Sequence, residues 1–427
     1  MQPHADEFAD SFGESGGTFS AGPHIGQVST RRGTDVVAAT LMLLFAASGM
    51  SMSLIPVVAD NLQAAFHYSD SQIGLLTSAL LFAFGAAAIP AGLAAARWGG
   101  RVLAVGAVLY VAGSVLFAMS SSYGSFVAAR VIQGVGAGIT LPACSAVMAD
   151  LLLPKWRGRA WGIFGCGQGL GVIIALLVLP GVVHAGGYRA VFLANAGMDV
   201  VFGAAVFAQK ALRSRPVHAE GVPSLRSLGR ALGTVAVNKR VLLLSLFNVA
   251  TLGVMVGALA WTPKFMQTTY GASLGVSAYL TAGLGVAQLI GNPVGAAAMA
   301  RWSKLLVIFV SMVLMTIVIA LVPFVPGLAA VFVFVTLAGF LTTAYFSPLF
   351  AYIPEVVKRP EQVGAATGIV EVFGFTGSLL TPWLFGLLLD NLGSHNGYIA
   401  GYLLLAAFGL FATVGIVFFN TAKASAD

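Results

Sequence analysis

Three ionisable residues lie inside long apolar stretches of the chain: Arg130, Asp199 and Glu371. A charge at the centre of a membrane-spanning helix costs roughly 2.5–3.5 kcal/mol on insertion scales, so each of these residues needs a physical reason to be there. Arginine stays charged, and its planar guanidinium forms paired hydrogen bonds with carboxylates and phosphates. Arg130 is therefore predicted to bind an anion or to pair with a titrating carboxylate. The alternative is that it braces neighbouring backbone carbonyls.

The two carboxylates suggest different roles. A carboxylate removed from water binds a proton more readily than one in water, so Glu371 is a candidate proton carrier. It could instead pair with a cationic substrate, coordinate a metal or make a structural hydrogen bond. Asp199 follows Asn195 by four residues, and residues four apart share one helix face, so this pair is predicted to form one polar patch.

Four amide side chains complete the predicted pathway for solute or proton: Gln133, Gln168, Gln288 and Asn292. Gln288 and Asn292 are also four residues apart and share a face. Amides between packed membrane helices equally serve as hydrogen bonds that join the helices. Both interpretations of these four residues stay open at the level of sequence.

The composition shows which elements must position these side chains. Of the 427 residues 58% are hydrophobic and only 9% are charged, with a mean hydropathy of +0.91. A soluble domain carries roughly 25% charged residues, whereas each membrane crossing needs about 20 apolar residues. The apolar runs predict an all-α integral membrane protein with twelve transmembrane helices, near residues 35–58, 72–96, 102–119, 125–149, 161–183, 190–208, 241–262, 275–299, 305–323, 328–352, 364–388 and 398–419.

The placement of basic residues predicts an orientation. An even number of spans puts both termini on one side, and 19 of the 22 lysines and arginines fall on that side. Arg189 and Lys264 fall on the far side, and Arg130 lies within a span. The positive-inside rule then predicts cytoplasmic termini, in an inner (cytoplasmic) membrane or an intracellular membrane derived from it. The net charge of +7 is explained by loops beside anionic lipid, with no nucleic-acid partner.

Short motifs of the first half recur in the second half. The stretch 90–101 reads Pro-Ala-Gly followed by Arg-Trp, and the stretch 293–304 reads Pro-Val-Gly followed by Arg-Trp. Duplicated helical bundles are a common architecture of membrane carriers. The sequence therefore predicts two pseudo-symmetric six-helix bundles, 35–208 and 241–420, a linker 209–240, a disordered acidic tail 1–34 and a short tail 421–427.

Two motifs resemble those of the major facilitator superfamily of secondary transporters. One runs from Gly92 to Arg101 between spans two and three, and the other is Arg-Val-Ile-Gln-Gly-Val-Gly at 130–136. The resemblance covers about residues 35–420 and implies two six-helix bundles around a central cavity with alternating access. It implies that Arg130 and Gln133 face the bundle interior, that span eleven with Glu371 lines the cavity, and that span six is peripheral. A peripheral span favours a structural or lipid-interface role for Asp199.

The first motif departs from the family pattern. Its glycines and arginines match, but Ala96 replaces the usual aspartate and Gly100 replaces the first arginine of the final pair. In the family that aspartate helps to latch the two halves at the cytoplasmic face, so this latch is in doubt here. The ion pair between Arg97 and Asp150 that the family pattern suggests remains possible. The residues predicted to form this cytoplasmic gate motif are Gly92, Arg97, Gly99, Arg101 and Asp150.

A second departure concerns the class of substrate. Span five is rich in glycine from Gly162 to Gly171, which indicates tight helix packing, but lacks the Gly-Pro step of the drug/proton antiporters. Drug export is therefore disfavoured. The chain also lacks a nucleotide-binding loop and any clustered Ser-His-Asp or Cys-His set, so neither ATP drive, nor a cofactor, nor an enzyme is predicted.

The predicted function is secondary transport of a small solute, an anionic metabolite, with proton coupling by a monomeric carrier. Two alternatives remain. A fainter likeness to superfamily carriers of bacterial magnetosome membranes implies transport of iron or another metal ion, for which no ligand set can be assigned. The third possibility is a non-transporting membrane sensor or assembly factor that docks partners through its acidic tail.

Overall fold

The computed structural model describes residue 28 and residues 30–98, 100–209, 212, 233–357 and 360–424. Within these residues the chain is helical, and its β-structure is one isolated bridge between Val28 and Leu152. The predicted tail 1–34 and linker 209–240 lie largely outside the described residues. The all-α class predicted from composition is confirmed.

The first half begins with four separate helices: α1 (Arg31–Phe66), α2 (Asp70–Trp98), α3 (Arg101–Met119) and α4 (Tyr123–Leu151). The next helical segment, Pro154–Ala208, would be about 80 Å long if straight, whereas the hydrocarbon core of a membrane is about 30 Å thick. It breaks at Gly186 and Gly187, where the combination of φ +63° and ψ −160° at Gly187 is one that only glycine adopts readily. This break separates α5 (154–185) from α6 (188–208).

The second half repeats this plan. It comprises α7 (Lys239–Tyr270), α8 (Leu274–Ala298), α9 (Lys304–Leu321) and α10 (Gly327–Val357), with a short 3-10 turn (Val322–Phe324) after α9. The last segment, Pro360–Ala424, breaks at Gly393 with a φ of +72°, which gives α11 (360–392) and α12 (394–424). Ten apolar helical segments of the described chain, two of them doubled by a glycine break, confirm the prediction of twelve membrane-spanning helices.

Local chemistry explains where several helices begin. The hydroxyls of Thr30, Ser273 and Ser303 accept hydrogen bonds from backbone N–H groups in the first turns of α1, α8 and α9. Ser122 and Ser125 form a reciprocal pair at the start of α4. Such caps satisfy donors that have no partner inside the helix.

Helices pack mainly within their own half. In the first half α1 packs on α5 and α2 on α4, and in the second half α7 packs on α11 and α8 on α10. Glycines allow the close approach: a Cβ on Gly167 would press on the α1 carbonyl of Met42, and one on Gly171 would clash with that of Ala46. The tight packing predicted from the glycines of α5 is therefore confirmed.

The apolar side chains form three clusters. The largest draws on both halves and lies toward the side where α1 ends, with members such as Val58, Phe126, Trp261 and Phe385. Two smaller clusters belong to one half each and lie toward the side where α1 begins. We call that side the basic face, since α1 and α3 begin there with arginines, and the opposite side the far face. The two halves thus share one core at the far face and separate toward the basic face.

Candidate transport site

Three helix pairs join the halves: α2 with α11, α5 with α8, and α1 with α7. On the first pair, a Cβ at Gly74 would clash with the carbonyl of Pro382, and the rings of Phe84 and Phe375 lie 4.3 Å apart between centroids. On the second pair, a Cβ at Gly169 would lie 2.8 Å from the carbonyl of Gly285. We call these contacts the inter-bundle seam.

The seam closes the far face and ends near mid-membrane. Its contact nearest the basic face on α2 and α11 is that of Phe84 and Phe375, and beyond it the described hydrogen bonds and ring contacts stay within one half. The splitting of the apolar core into two clusters occurs at the same level. We call the region between the two halves, from the seam to the basic face, the vestibule.

Glu371 lies at the end of this vestibule. It precedes Phe375 by one helical turn on α11, so it lies just on the basic-face side of the Phe84–Phe375 contact. Its side chain is half-buried, and it makes no hydrogen bond or ion pair to any residue that the structure describes. A carboxylate near the middle of a membrane helix is costly, which makes Glu371 a candidate functional residue.

Gln168 and Gln288 lie at the same edge of the seam, one in each half. Each is half-buried, and each amide donates to a methionine sulfur: Gln168 Nε2 to Met52 Sδ at 3.3 Å, and Gln288 Nε2 to Met255 Sδ at 3.4 Å. A thioether sulfur is a weak acceptor, so both amides retain most of their capacity to bind a better one. One turn on, Asn292 Oδ1 accepts a hydrogen bond from Ser347 of the same half and joins α8 to α10 instead.

Arg130 and Gln133 lie away from the vestibule, inside the first bundle. Both are 0% exposed. Arg130 Nη1 donates to the carbonyl of Ser51 at 3.0 Å, Nε donates to that of Leu76 at 3.1 Å, and Nη1 also reaches Gln133 Oε1 at 2.5 Å. In this conformation the guanidinium braces α1 and α2 against α4, as in the alternative stated above, and it offers no surface to an anion in the vestibule.

The polar patch predicted at Asn195 and Asp199 exists, but it does not face lipid. The two side chains are 0% and 1% exposed, and Asn195 Nδ2 donates to Asp199 Oδ2 at 2.7 Å. Both also bond to Ser114 on α3. Of the structural or lipid-interface role expected for Asp199, the lipid-interface part is therefore wrong and the structural part agrees with these bonds, because α6 turns this face toward α3 and the bundle core.

A cluster at the far face joins the halves and was not predicted. Lys264 on α7 forms an ion pair with Asp70 on α2 and donates to Gln63 Oε1 on α1 at 2.6 Å. Asp390 on α11 accepts from the backbone N–H groups of Asp70 and Ser71 at 2.8 and 2.9 Å, where it also complements the positive end of the α2 dipole. We call this set the far-face latch. The one sequence signal for it was the rarity of basic residues on this side.

The gate motif lies at the opposite face. Arg101 begins α3 and is exposed, and a Cβ on Gly92 would make an ordinary contact with Pro142 at 3.6 Å. Gly99 and the side chains of Arg97 and Asp150 lie outside the described residues, so their ion pair stays a prediction. In the described part of the chain, no three His, Cys, Asp or Glu residues group closely enough to hold a metal ion.

Two six-helix bundles that meet at the far face and separate toward the basic face define a secondary transporter rather than an enzyme. The chain belongs to the Major Facilitator Superfamily, whose model matches residues 40–291 and 243–426. Among solved structures, a bacterial homologue of the human lysosomal transporter Spinster in an inward-facing, unoccupied conformation has a TM-score of 0.74 at 16% identity, covering 91% of this chain and 97% of that one. A D-xylose-proton symporter has a TM-score of 0.73 at 16% identity, covering 91% and 97%.

Curated relatives are similarly distant. "Probable 4-methylmuconolactone transporter" of Cupriavidus pinatubonensis is 23% identical over 90% of this chain and 91% of its own length. "Probable anion transporter 4, chloroplastic" of Arabidopsis thaliana is 28% identical over 42% of this chain, and the match spans only about a third of that relative's length (34%). The protein is thus a multi-pass membrane transporter of small solutes.

Proposed function

We propose that this transporter moves a small organic anion together with a proton, by alternating exposure of the seam to the two sides of the membrane. The observation that carries the proposal is a group of half-buried polar side chains at the end of the vestibule. Glu371 has no partner among the described residues, and Gln168 and Gln288 each donate a hydrogen bond to a methionine sulfur. The names of two relatives, an anion transporter and a 4-methylmuconolactone transporter, support the class of solute.

The two amides are placed to bind the carboxylate of the solute. Hydrogen bonds to an ionised acceptor are roughly twice as strong as neutral ones, so a carboxylate would displace the methionine sulfurs. Since Gln168 belongs to one half and Gln288 to the other, a solute held by both would bridge the halves. Bridging gives the bound solute a route to influence how the halves move relative to each other.

Glu371 supplies the coupling. An anion that arrives near an ionised carboxylate is repelled, and the repulsion is relieved when that carboxylate takes up a proton. Binding of the anion and of the proton therefore favour each other, as symport requires. We further propose that the carrier is monomeric and that its basic face is cytoplasmic, with both termini on that side, which enzyme reporters fused to each terminus would test.

Solid-supported membrane electrophysiology on proteoliposomes tests the proposal. 4-Methylmuconolactone, benzoate, gluconate, D-xylose and ferrous iron would be pulsed at two pH values, followed by tracer flux for any electroneutral solute. We expect pH-dependent transport of an acid. In Glu371→Gln we expect proton-driven accumulation to be lost while exchange of solute across the membrane persists.

The matched control is Glu355→Gln, which removes an exposed carboxylate on α10 that pairs with Lys304 at the basic face, away from the vestibule. This variant should accumulate solute normally. Unchanged proton-driven accumulation in Glu371→Gln would overturn the coupling role. Transport of D-xylose or iron without any acid would overturn the anion assignment.

A further inference from the structure

Arg130 carries a buried positive charge that its hydrogen-bond partners do not balance. Its guanidinium stays protonated, it is fully buried, and its hydrogen-bond partners on α1, α2 and α4 are all neutral: two backbone carbonyls and the Gln133 amide. A buried charge without an opposite charge is strongly disfavoured. The structure should therefore contain a compensating anion near Arg130.

A chain of hydrogen bonds leads from Arg130 to a carboxylate. Arg130 donates to Gln133, Gln133 Nε2 donates to Ser114 Oγ at 2.9 Å, and Ser114 Oγ donates to Asp199 Oδ2 at 3.3 Å. Every donor along this chain points away from the arginine and toward the aspartate. A positive charge at one end and a negative charge at the other polarise such a chain in the same sense, so that each bond strengthens the next.

At the aspartate end one carboxylate oxygen accepts the hydrogen bonds, while Oδ1 is buried without a hydrogen-bond partner among the described residues. Asp199 Oδ2 accepts from two side chains, Asn195 Nδ2 on its own helix and Ser114 on α3. Asn195 Nδ2 also lies 3.0 Å from Ser114 Oγ, which closes a triangle around the carboxylate oxygen. Hydrogen bonds donated to a carboxylate stabilise its ionised form.

The arginine end reaches the vestibule wall. The carbonyl that Arg130 binds on α1 belongs to Ser51, and the next residue, Met52, accepts the hydrogen bond of Gln168. The position of this part of α1 therefore depends on how the guanidinium is held. The relay and its backbone anchors involve five helices (α1, α2, α3, α4 and α6), so we expect loss of the charge at Asp199 to disturb their packing.

We infer that Asp199 is the counter-charge of Arg130, held through Gln133 and Ser114, and that it is a positioning residue for the α1 side of the transport site. The charge pairing is independent of the proposed function, whereas its link to transport rests on it. The competing explanation is that Asp199 is a neutral hydrogen-bond acceptor that packs the bundle and has no dependence on Arg130.

A double-mutant cycle separates the two explanations without any solute. Thermal unfolding in detergent would be measured for wild type, Arg130→Gln, Asp199→Asn and the double variant. Each single substitution leaves one buried charge uncompensated, so we expect a fall in Tm of roughly 5–10 °C for each. The double variant restores neutrality and should unfold at a higher temperature than either single variant.

If a single variant yields no folded protein, the double variant decides. A folded double variant supports the pairing, and an unfolded one, or a fall equal to the sum of the two singles, overturns it. Asp199→Glu gives a second readout, because it keeps the charge and changes the shape, whereas Asp199→Asn does the reverse. If Asp199 is the counter-charge of Arg130, Asp199→Glu should be more stable than Asp199→Asn. If Asp199 is a neutral acceptor, Asp199→Asn should be the more stable variant.

A control on the same helix is Val201→Ala, since Val201 is 63% exposed on the outer surface of α6. Its Tm should equal that of wild type. A failure of the solute experiments would leave this cycle unchanged, so the two proposals can fail separately.

Discussion

The two halves of the molecule share a helical plan but have different cores. When the second half is aligned on the first with an offset of 205 residues, Glu355 falls on Asp150. In this alignment Val335 and Ala338 occupy the positions of Arg130 and Gln133. The glycine breaks at Gly187 and Gly393 likewise place Gly401 and Leu405 where the first half has Asn195 and Asp199. All four replacements are buried. A hydrogen-bonded relay of charges in one half thus corresponds to small and apolar side chains in the other.

Both halves pack aromatic rings in the far-face core, such as Phe117 with Phe126 in the first half and a group around Phe385 in the second. Phe385 lies at the centre of this group, 5.6 Å from the ring of Trp261 and 5.5 Å from that of Tyr402 between centroids. The fold therefore does not require a buried charge relay, since the second half keeps the same helical plan with small or apolar residues at the corresponding positions. The relay in the first half is therefore better explained by a functional requirement than by the fold.

The largest effect is expected from the aromatic core. Phe385→Ala removes a fully buried ring and should destabilise the protein by about 3–5 kcal/mol, because the neighbouring rings lose their contacts and a cavity remains. Thermal unfolding measures this, and the loss should be equal at low and high salt since no charge is involved. Phe411→Ala is the control, as that ring on α12 is 68% exposed. Equal stability of the two variants would contradict the central role given to Phe385.

A smaller effect should distinguish the polar contacts of the two halves. Ser114 bonds to three side chains, so Ser114→Ala removes one hydrogen bond from each of Gln133, Asn195 and Asp199 and should cost about 1–3 kcal/mol. The hydroxyl pair of Thr262 and Tyr402 is a single contact in the second half, and Thr262→Val should cost about 1 kcal/mol or less. Denaturation of both variants checks the order. The reverse order would mean that the relay is not a connected network.

Sequence reasoning found the spans, the duplication and the ionisable residues, because the membrane makes each apolar run and each intramembrane charge conspicuous. It did not find the relay, since the partners Ser114 and Asp199 meet only when α3, α4 and α6 pack, and their separation of 85 positions leaves no periodic signal. The particular partners of Arg130 could not be named for the same reason: a helix position fixes depth, whereas the facing neighbour depends on tertiary packing. The far-face latch joins residues 194 positions apart and is equally invisible in sequence.

The smallest predicted effect concerns the ion pair that joins the two halves in the far-face latch. Lys264→Gln removes the ion pair with Asp70 that bridges them, and its partly buried side chains are 14% and 22% exposed. Lys304→Gln removes an ion pair with Glu355 inside one half, with exposures of 31% and 53%. A bond between halves is lost when the far face opens, whereas a bond within one half is kept in both conformations. Only the first substitution should therefore shift the conformational equilibrium, by about 1 kcal/mol or roughly fivefold after allowance for solvent screening.

Spin labels report this shift directly. Cysteines at the exposed positions His67 and Thr269, in a chain with Cys144 and Cys166 replaced by alanine, place one label on each half at the far face. Lys264→Gln should increase the population with a long distance between labels, and Lys304→Gln should leave the distribution of wild type. A shift in both variants would show that loss of a lysine charge at either face moves the equilibrium, rather than loss of the ion pair between the halves. A shift in neither would assign closure to the apolar seam alone, where Gly74 lies against Pro382 and the two halves share one core.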